Sequence, residues 1–210
     1  MKTTGASPSL QSGASSIDEE KALVRTRVLA RLRALTVSEK TAASEKICQH
    51  LLQSALLQNA RCVGSFAGLA SEPELSVLHQ EVLRLGKRLA FPRVIPSGLE
   101  FRSHDHAETW LRGPHGPREP DPARSALVLA SEIDLVLAPG LAFAPGGFRL
   151  GRGGGYYDRW LAGERPGGGS VGVCFSCQVE ARLPVANHDQ RVDGVLTEGG
   201  WLLTGNPGEP

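Results

Sequence analysis

The polar and apolar positions change period several times along the chain. From Ser16 to about Leu35 the residues Val28, Leu29, Leu32 and Leu35 recur at helical spacing, which makes one apolar stripe. Ser16 and Glu19 at its head predict a capping box, each side chain meeting an orphan backbone N–H. Lys21 and Arg25 stand one turn apart and point the same way. A second helix is expected from Glu39 to Leu57, with Ile47, Leu51 and Leu52 inward. The period then shortens. "RCVGSFAG" has the small and apolar residues of a buried strand, and "ELSVLHQEVLRLG" predicts a helix that stops at Gly86, a plausible C-cap. "KRLAFPRV" and "LEFRSH" are strand candidates, and the Pro/Gly-rich stretch from Asp105 to Asp121 is expected to be loop. "EIDLVLAPG" is the clearest strand, a continuous apolar run ended by Pro-Gly. "YYDRWLAG" has the length of a short helix, and "SVGVCFS" and "GVLTE" are final strands. Helices alternate with strands and no internal repeat is present. The pattern predicts an α/β fold: a mostly parallel sheet with helices on both faces.

The expected domain spans 18–200, after a Ser/Gly/Thr-rich start (1–17) expected to be disordered and before a flexible tail (201–210). The start has no apolar segment of the secretory type, and no run approaches the ~20 apolar residues of a membrane span. A cytoplasmic protein with no membrane partner is expected. The 210 residues suffice for a sizeable core without disulfides or metals. Basic residues number 23 against 22 acidic, a net charge of +1, which argues against a nucleic-acid partner. Cys174-x-x-Cys177 is half of a zinc pattern, but Cys48 and Cys62 are badly spaced to complete it. Ordinary thiols of a reducing compartment are expected. His104-Asp105-His106 suggests no third ligand, and alternate residues at a strand end point oppositely.

The stretch "APGGFRLGRGGGYYDRW", Ala144 to Trp160, holds both tyrosines of the chain, three arginines and six glycines. It sits between the strand "IDLVLAP" and the helix near Tyr156. In open α/β sheets ligands bind beyond the carboxyl ends of strands. Glycines there let backbone N–H groups converge on an anion, and a helix N-terminus adds partial positive charge. Arg149 and Arg152 can supply forked phosphate contacts. Arg149 to Tyr157 therefore predicts a phosphate cradle, with Asp158 placed to hold a Mg²⁺ on the same phosphates. It is not a Walker A loop, since G-x-x-x-x-G-K-[ST] is absent, and the glycine spacing does not fit a dinucleotide-binding fingerprint.

"PGLAFAPGGFRLGRGGGYYDRWL" resembles the signature of the 5-formyltetrahydrofolate cyclo-ligase (methenyltetrahydrofolate synthetase) family, matched from Pro139 to Arg159. The order of shorter pieces agrees: Lys21-x-x-x-Arg25, Glu72 in "ASEPEL", "GKRLAFPRV", "REP" at Arg118 to Pro120, and "CQVEARLPVANHDQRVDGVLTE". The chain departs from the family pattern at Ala144, commonly Asp, at Leu75, often Thr, and at Gly154, Lys in some relatives. The resemblance implies a three-layer α/β/α fold, like that of the sugar-phosphate isomerase-like superfamily, and a monomer. It implies ATP-dependent closure of 5-formyltetrahydrofolate, with or without a polyglutamate tail, to 5,10-methenyltetrahydrofolate with release of ADP and phosphate. The γ-phosphoryl group goes to the formyl oxygen, and N10 attacks the activated carbon. By the same resemblance Lys21, Arg25 and the loop Arg149, Leu150, Gly151, Arg152, Gly153, Gly154, Gly155, Tyr156 and Tyr157 bind ATP. Arg149 and Arg152 stabilise charge, Tyr156 stacks on the folate and Glu72 accepts from it, while Asp158 and Asp189 hold Mg²⁺. The competing expectations are a folate binder without turnover, a phosphosugar isomerase, and, given the charge balance, last of all a nucleic-acid binder.

Overall fold

The computed structural model describes residues 12–104, 110–114, 116–163 and 166–202. The chain runs α1 (Ser12–Ala34), α2 (Val37–Gln53), α3 (Ala55–Asn59), β1 (Cys62–Gly64), α4 (Ser76–Arg84), then β2 (Arg88–Ile95) and β3 (Gly98–His104). It continues with β4 (Trp110–Arg112), β5 (Arg118–Pro120), β6 (Leu127–Val128), β7 (Leu135–Ala138), β8 (Ala142–Ala144) and β9 (Phe148–Leu150). Last come α5 (Tyr156–Gly163), β10 (Ser170–Val173), β11 (Gly194–Thr197) and β12 (Gly200–Leu202). Eight strands form one sheet in the order β12-β11-β10-β7-β1-β2-β3-β6. The five central strands are parallel, and β12, β3 and β6 add antiparallel margins.

Alternation along the parallel strands divides the core in two. Val63, Leu135, Leu137, Val171 and Val173 turn to the side covered by α1 to α4, where Val28, Leu32, Ile47, Leu51, Leu78 and Val82 meet them. Cys62, Val136, Ala138 and Val195 turn to the other side, covered by Trp160 and Leu161 of α5 and by Phe143. Strands buried on both faces explain the continuous apolar runs in the sequence.

Several boundaries differ from expectation. α1 begins at Ser12, inside the segment expected to be disordered, so Ser16 lies within the helix and not at its N-cap. A capping box does form one helix later: Thr36 Oγ1 accepts from Glu39 N–H, and Glu39 Oε2 accepts from Thr36 N–H. The helix expected to reach Leu57 breaks at Ser54, whose hydroxyl caps α3 by accepting from Leu57 N–H at 3.2 Å. Gly86, at φ +72°, ends α4 in a Schellman motif: its N–H donates to Leu83 O, and that of Lys87 to Val82 O. The 105–121 stretch is not all loop, since β4 and β5 pair as an antiparallel hairpin; Asp105 and His106 lie outside the described residues. Trp201 and Leu202, expected in the tail, are in β12 and pair with Val195 and Leu196.

Gly172 is the tightest side-chain constraint in the sheet. A Cβ there would stand 2.3 Å from Phe143 Cε1, and the same ring already lies against Gly140, where a Cβ would stand 2.6 Å from Cζ. Phe143 is fully buried and has nowhere to go. Gly172→Ala is expected to lower stability by ~1–3 kcal/mol through overpacking. Thermal melts will show this as a drop of several degrees, while Gly163→Ala, where nothing lies within 4 Å, leaves the midpoint unmoved.

Candidate active site

Strand order reverses between β1 and β7: β2 lies on one side of the pair, and β10 and β11 on the other. A cavity of about 330 Å³ opens at this switch point, beyond the carboxyl ends of the two strands. Phe66 and Ala67 follow β1 into its wall, and Pro139 and Gly140 follow β7. Pro92, Val94 and Leu99 of the β2–β3 hairpin make an apolar side. Arg149, Arg152 and the glycine loop make a cationic side.

The loop folds as it does because its backbone needs glycine. Gly153 (φ +117°) and Gly155 (φ +64°) are left-handed, and Gly155 opens α5 by accepting the Arg159 N–H at 3.0 Å. At Gly154 a Cβ would stand 2.6 Å from Tyr156 Cε2, so the bare backbone is what admits the Tyr156 ring. Arg159 lies over that ring, Cζ 5.1 Å from its centroid. Two cations tie the loop down. Arg25 Nε of α1 donates to Gly151 O at 3.0 Å. Arg152 donates from Nε to Glu72 Oε1 at 3.1 Å and from Nη2 to Ser71 Oγ at 2.7 Å. Glu72 holds its other oxygen on Leu69 N–H, at 3.0 Å.

Arg149 sits deepest. It is 7% exposed, and Gly140 and Gly151 leave the space its side chain fills. Nη1 donates to Pro139 O at 3.2 Å, and Nη2 lies 2.9 Å from Asp158 Oδ1. That ion pair is not aligned as a hydrogen bond, and neither Nε nor Nη2 has an acceptor in bonding geometry among the described residues. Asp158 Oδ1 also accepts the Gln190 N–H, at 3.2 Å. The Tyr157 ring stands beside the guanidinium, 5.5 Å from Cζ to centroid. Its hydroxyl is buried without a partner among the described residues, and burial pushes it far above the usual phenol range, so it remains a neutral donor.

The sequence profile of the 5-formyltetrahydrofolate cyclo-ligase family matches residues 17–198. The chain belongs to this family. Cyclo-ligase relatives include that of Mus musculus, 29% identical over 87% of this chain and 95% of that protein. Another is that of Mycolicibacterium smegmatis, 29% identical over 84% of this chain and 93% of that protein. Among solved structures, the 5,10-methenyltetrahydrofolate synthetase of Aquifex aeolicus superposes with a TM-score of 0.77 at 31% identity, covering 90% of this chain and 95% of that one. The synthetase of Mycoplasma pneumoniae, at 20% identity and a TM-score of 0.70, shares the fold over 85% of this chain and 99% of its own.

The cyclo-ligase signature residues are not all gathered at the cavity. Glu72, Arg149, Gly151, Arg152, Gly154, Gly155, Tyr156, Tyr157 and Asp158 line it. Leu150 is buried in the core, pairing with Ala142 in the β8–β9 hairpin, and Gly153 is off the wall. Lys21, Arg25 and Asp189 also stand off it. Lys21, 5% exposed, spans both oxygens of Asp189, at 2.8 and 2.6 Å. Burial works against the Asp189 charge, but Lys21 and the Ala186 N–H outweigh it and hold the carboxyl below its usual range. α1 carries Lys21 and Arg25 into place because Arg27 and Arg31 both grip Glu180. Cys174 and Cys177 are free thiols, both pushed up by burial. One acidic wall residue carried no assigned role in the sequence: Glu119, 8% exposed, hidden in the Pro/Gly-rich stretch. Its only signal there was the short "REP" piece.

Proposed function

We propose that the protein closes 5-formyltetrahydrofolate to 5,10-methenyltetrahydrofolate, with ATP converted to ADP and phosphate. The observation that carries this reading is Arg149. A buried guanidinium whose Nε and Nη2 have no acceptor in bonding geometry among the described residues, on the wall of a cavity at the switch point, suits an anion. The apolar wall made by Phe66, Pro92, Val94 and Leu99 accounts for the second, flat substrate.

The chemistry follows from this division. The formyl oxygen on N5 is a poor leaving group. Its attack on the γ-phosphorus releases ADP and leaves a phosphorylated iminium carbon. N10 then adds to that carbon, phosphate departs, and N10 loses its proton. There is little covalent work for the protein, so its task is to align the two substrates and absorb charge. Arg149 takes the transferring phosphoryl oxygens, and the loop N–H groups and α5 take the rest of the phosphate chain. The Tyr157 hydroxyl donates nearby as a neutral phenol, and Tyr156 stacks on the folate.

Among the described residues no group of three or more His, Cys, Asp or Glu could hold a metal by itself. The donor set fits a Mg²⁺ that arrives with phosphates, since such ions take one or two carboxylates and complete their shell with phosphate oxygens and water. Asp158 is the wall carboxylate suited to it, and Asp189 would join only by giving up Lys21. When bound, the ion neutralises charge on the phosphates.

The test is spectroscopic. Purified protein with 5-formyltetrahydrofolate, Mg²⁺ and ATP is expected to produce the methenyl chromophore, and to produce none without ATP or with excess chelator. ATP binding without any chromophore would overturn the folate assignment and leave a phosphate site with another second substrate.

A further inference from the structure

The ladder between β7 and β10 ends at Ala138 and Gly172. Past that point the chain after β7 runs along the cavity wall through Pro139 and Gly140, and the sheet no longer holds it. A side chain takes over. Gln178, in the turn Ser176–Gln178 that follows β10, is 1% exposed. Its Nε2 donates to Gly140 O at 2.9 Å and to Leu141 O at 3.1 Å, and its Oε1 accepts the Phe175 N–H at 2.8 Å. The two amide hydrogens are both used, and the amide cannot be turned over, because that would set its oxygen against two carbonyls.

Three successive carbonyls thus meet side chains. Pro139 O takes Arg149 Nη1 at 3.2 Å, and the next two take Gln178. The peptide units are planar, so fixing two carbonyls limits the direction of the one before them. The segment needs such a brace. Residue 140 is held to glycine by close approach, since a Cβ there would stand 3.1 Å from Arg149 Cγ and 2.6 Å from Phe143 Cζ. Glycine is also the residue that restrains its own backbone least. Arg149 depends on this segment twice. Its strand β9 is closed onto it by Leu141 N–H donating to Leu150 O at 2.8 Å. Its fork is aimed by Pro139 O, the one aligned acceptor of the guanidinium among the described residues. The Asp158 contact at 2.9 Å supplies charge without alignment.

We propose that Gln178 is the positioning residue for the Arg149 fork. It lies off the cavity wall and touches neither substrate. It acts by holding Gly140 and Leu141, so that Pro139 O fixes Nη1 and leaves Nε and Nη2 for a phosphate. This rests on the reading of Arg149 as the cation that meets the transferring phosphoryl group. The brace also joins the site to the first helix, because the same turn offers Cys177 O to Arg31 Nη1 at 3.0 Å.

The test is a double-mutant cycle between Gln178→Met, which keeps length but removes the amide, and Arg149→Lys, whose ammonium has no fork to aim. Calorimetry with tripolyphosphate, a phosphate chain alone, reads affinity and the fraction of binding-competent protein separately. In the wild-type background Gln178→Met is expected to raise the tripolyphosphate Kd about tenfold and to lower kcat ~10–100-fold, the cost of a cation misplaced by about an ångström. The KM for 5-formyltetrahydrofolate stays within about twofold, because the apolar wall is untouched. In the Arg149→Lys background the same substitution is expected to change Kd and kcat by less than about twofold. A glutamine that serves the fold alone would instead lower the competent fraction and the thermal midpoint in both backgrounds, with Kd and kcat per competent molecule unchanged. That result, or an equal fold-loss in both backgrounds, overturns the proposal. Should Gln178→Met not fold, Gln178→Asn, whose amide is too short to reach both carbonyls, enters the same cycle with the same expectations. Tripolyphosphate binding by a wild type that forms no methenyl product would overturn the cyclisation reading, and the binding cycle still decides Gln178. A wild type that binds no tripolyphosphate removes the anion role of Arg149 and this proposal with it.

Discussion

Arg149→Ala is expected to lower kcat ~10²–10³-fold, the usual cost of removing one preorganised stabiliser of transition-state charge. The size follows from burial. The guanidinium is 7% exposed, so water cannot take its place, and its Nε and Nη2 have no acceptor in bonding geometry among the described residues. The same burial adds a structural effect. Removing the cation leaves the Asp158 carboxylate without its ion-pair partner, and an orphaned buried charge commonly costs ~3–5 kcal/mol. Activity and stability must therefore be separated. Arg149→Ala combined with Asp158→Asn removes both charges and should recover most of the thermal midpoint while turnover stays lost. Arg149→Lys keeps the charge but not the fork that reaches Pro139 O and Asp158 together, and is expected to fall between. A double variant that is stable and turns over at the wild-type rate would remove Arg149 from the chemistry.

What the sequence made legible is what local pattern encodes. β7 is a continuous apolar run because both its faces are covered, and α5 begins at Tyr156 because glycine precedes it and the aromatic pair starts its packed face. The hairpins β4–β5 and β8–β9 were not legible. Their strands are three residues long, too short to show a period, and each exists only through its partner across a Pro/Gly turn. The same limit divides the site. The cationic glycine loop was readable because its residues are contiguous. Partner choice was not, because it is set by topology: Lys21 meets Asp189 across 168 positions and Arg152 meets Glu72 across 80. Lys21 and Asp189, expected to touch phosphate and metal, hold each other here, and the first helix is clamped to the segment after β10. Glu119 was hidden for a related reason. An acid among prolines and glycines looks like solvated loop until β5 turns it inward.

Acidification should destabilise the protein through His79, and by more than any surface charge could. The imidazole of His79 shares a 2.7 Å hydrogen bond between Nε2 and the hydroxyl of Ser65, itself fully buried. Phe91 meets the ring edge-on at 4.9 Å, and Phe91 in turn packs on His104 and Trp110. Burial, and secondly the nearness of His104, push the His79 pKa down to about 3. The unfolded chain takes up the proton near the ordinary histidine value of ~6.5. Between these values the unfolded state binds a proton that the folded state refuses, so stability rises with pH across the window and is lost as pH falls below ~6.5. One such proton is worth about 2 kcal/mol between pH 7 and 5. The carboxylates held low, Asp134, Glu180 and Asp189 among them, act in the same direction only as pH approaches their unfolded values near 4, below the upper part of the window. Urea unfolding at pH 7, 6 and 5 is therefore expected to give a falling stability in the wild type. His79→Gln, which keeps a polar atom for Ser65 but cannot take a proton, should flatten that slope even if its stability at pH 7 is lower. Parallel slopes for the two proteins would mean that His79 protonates in the folded state as readily as in the unfolded chain.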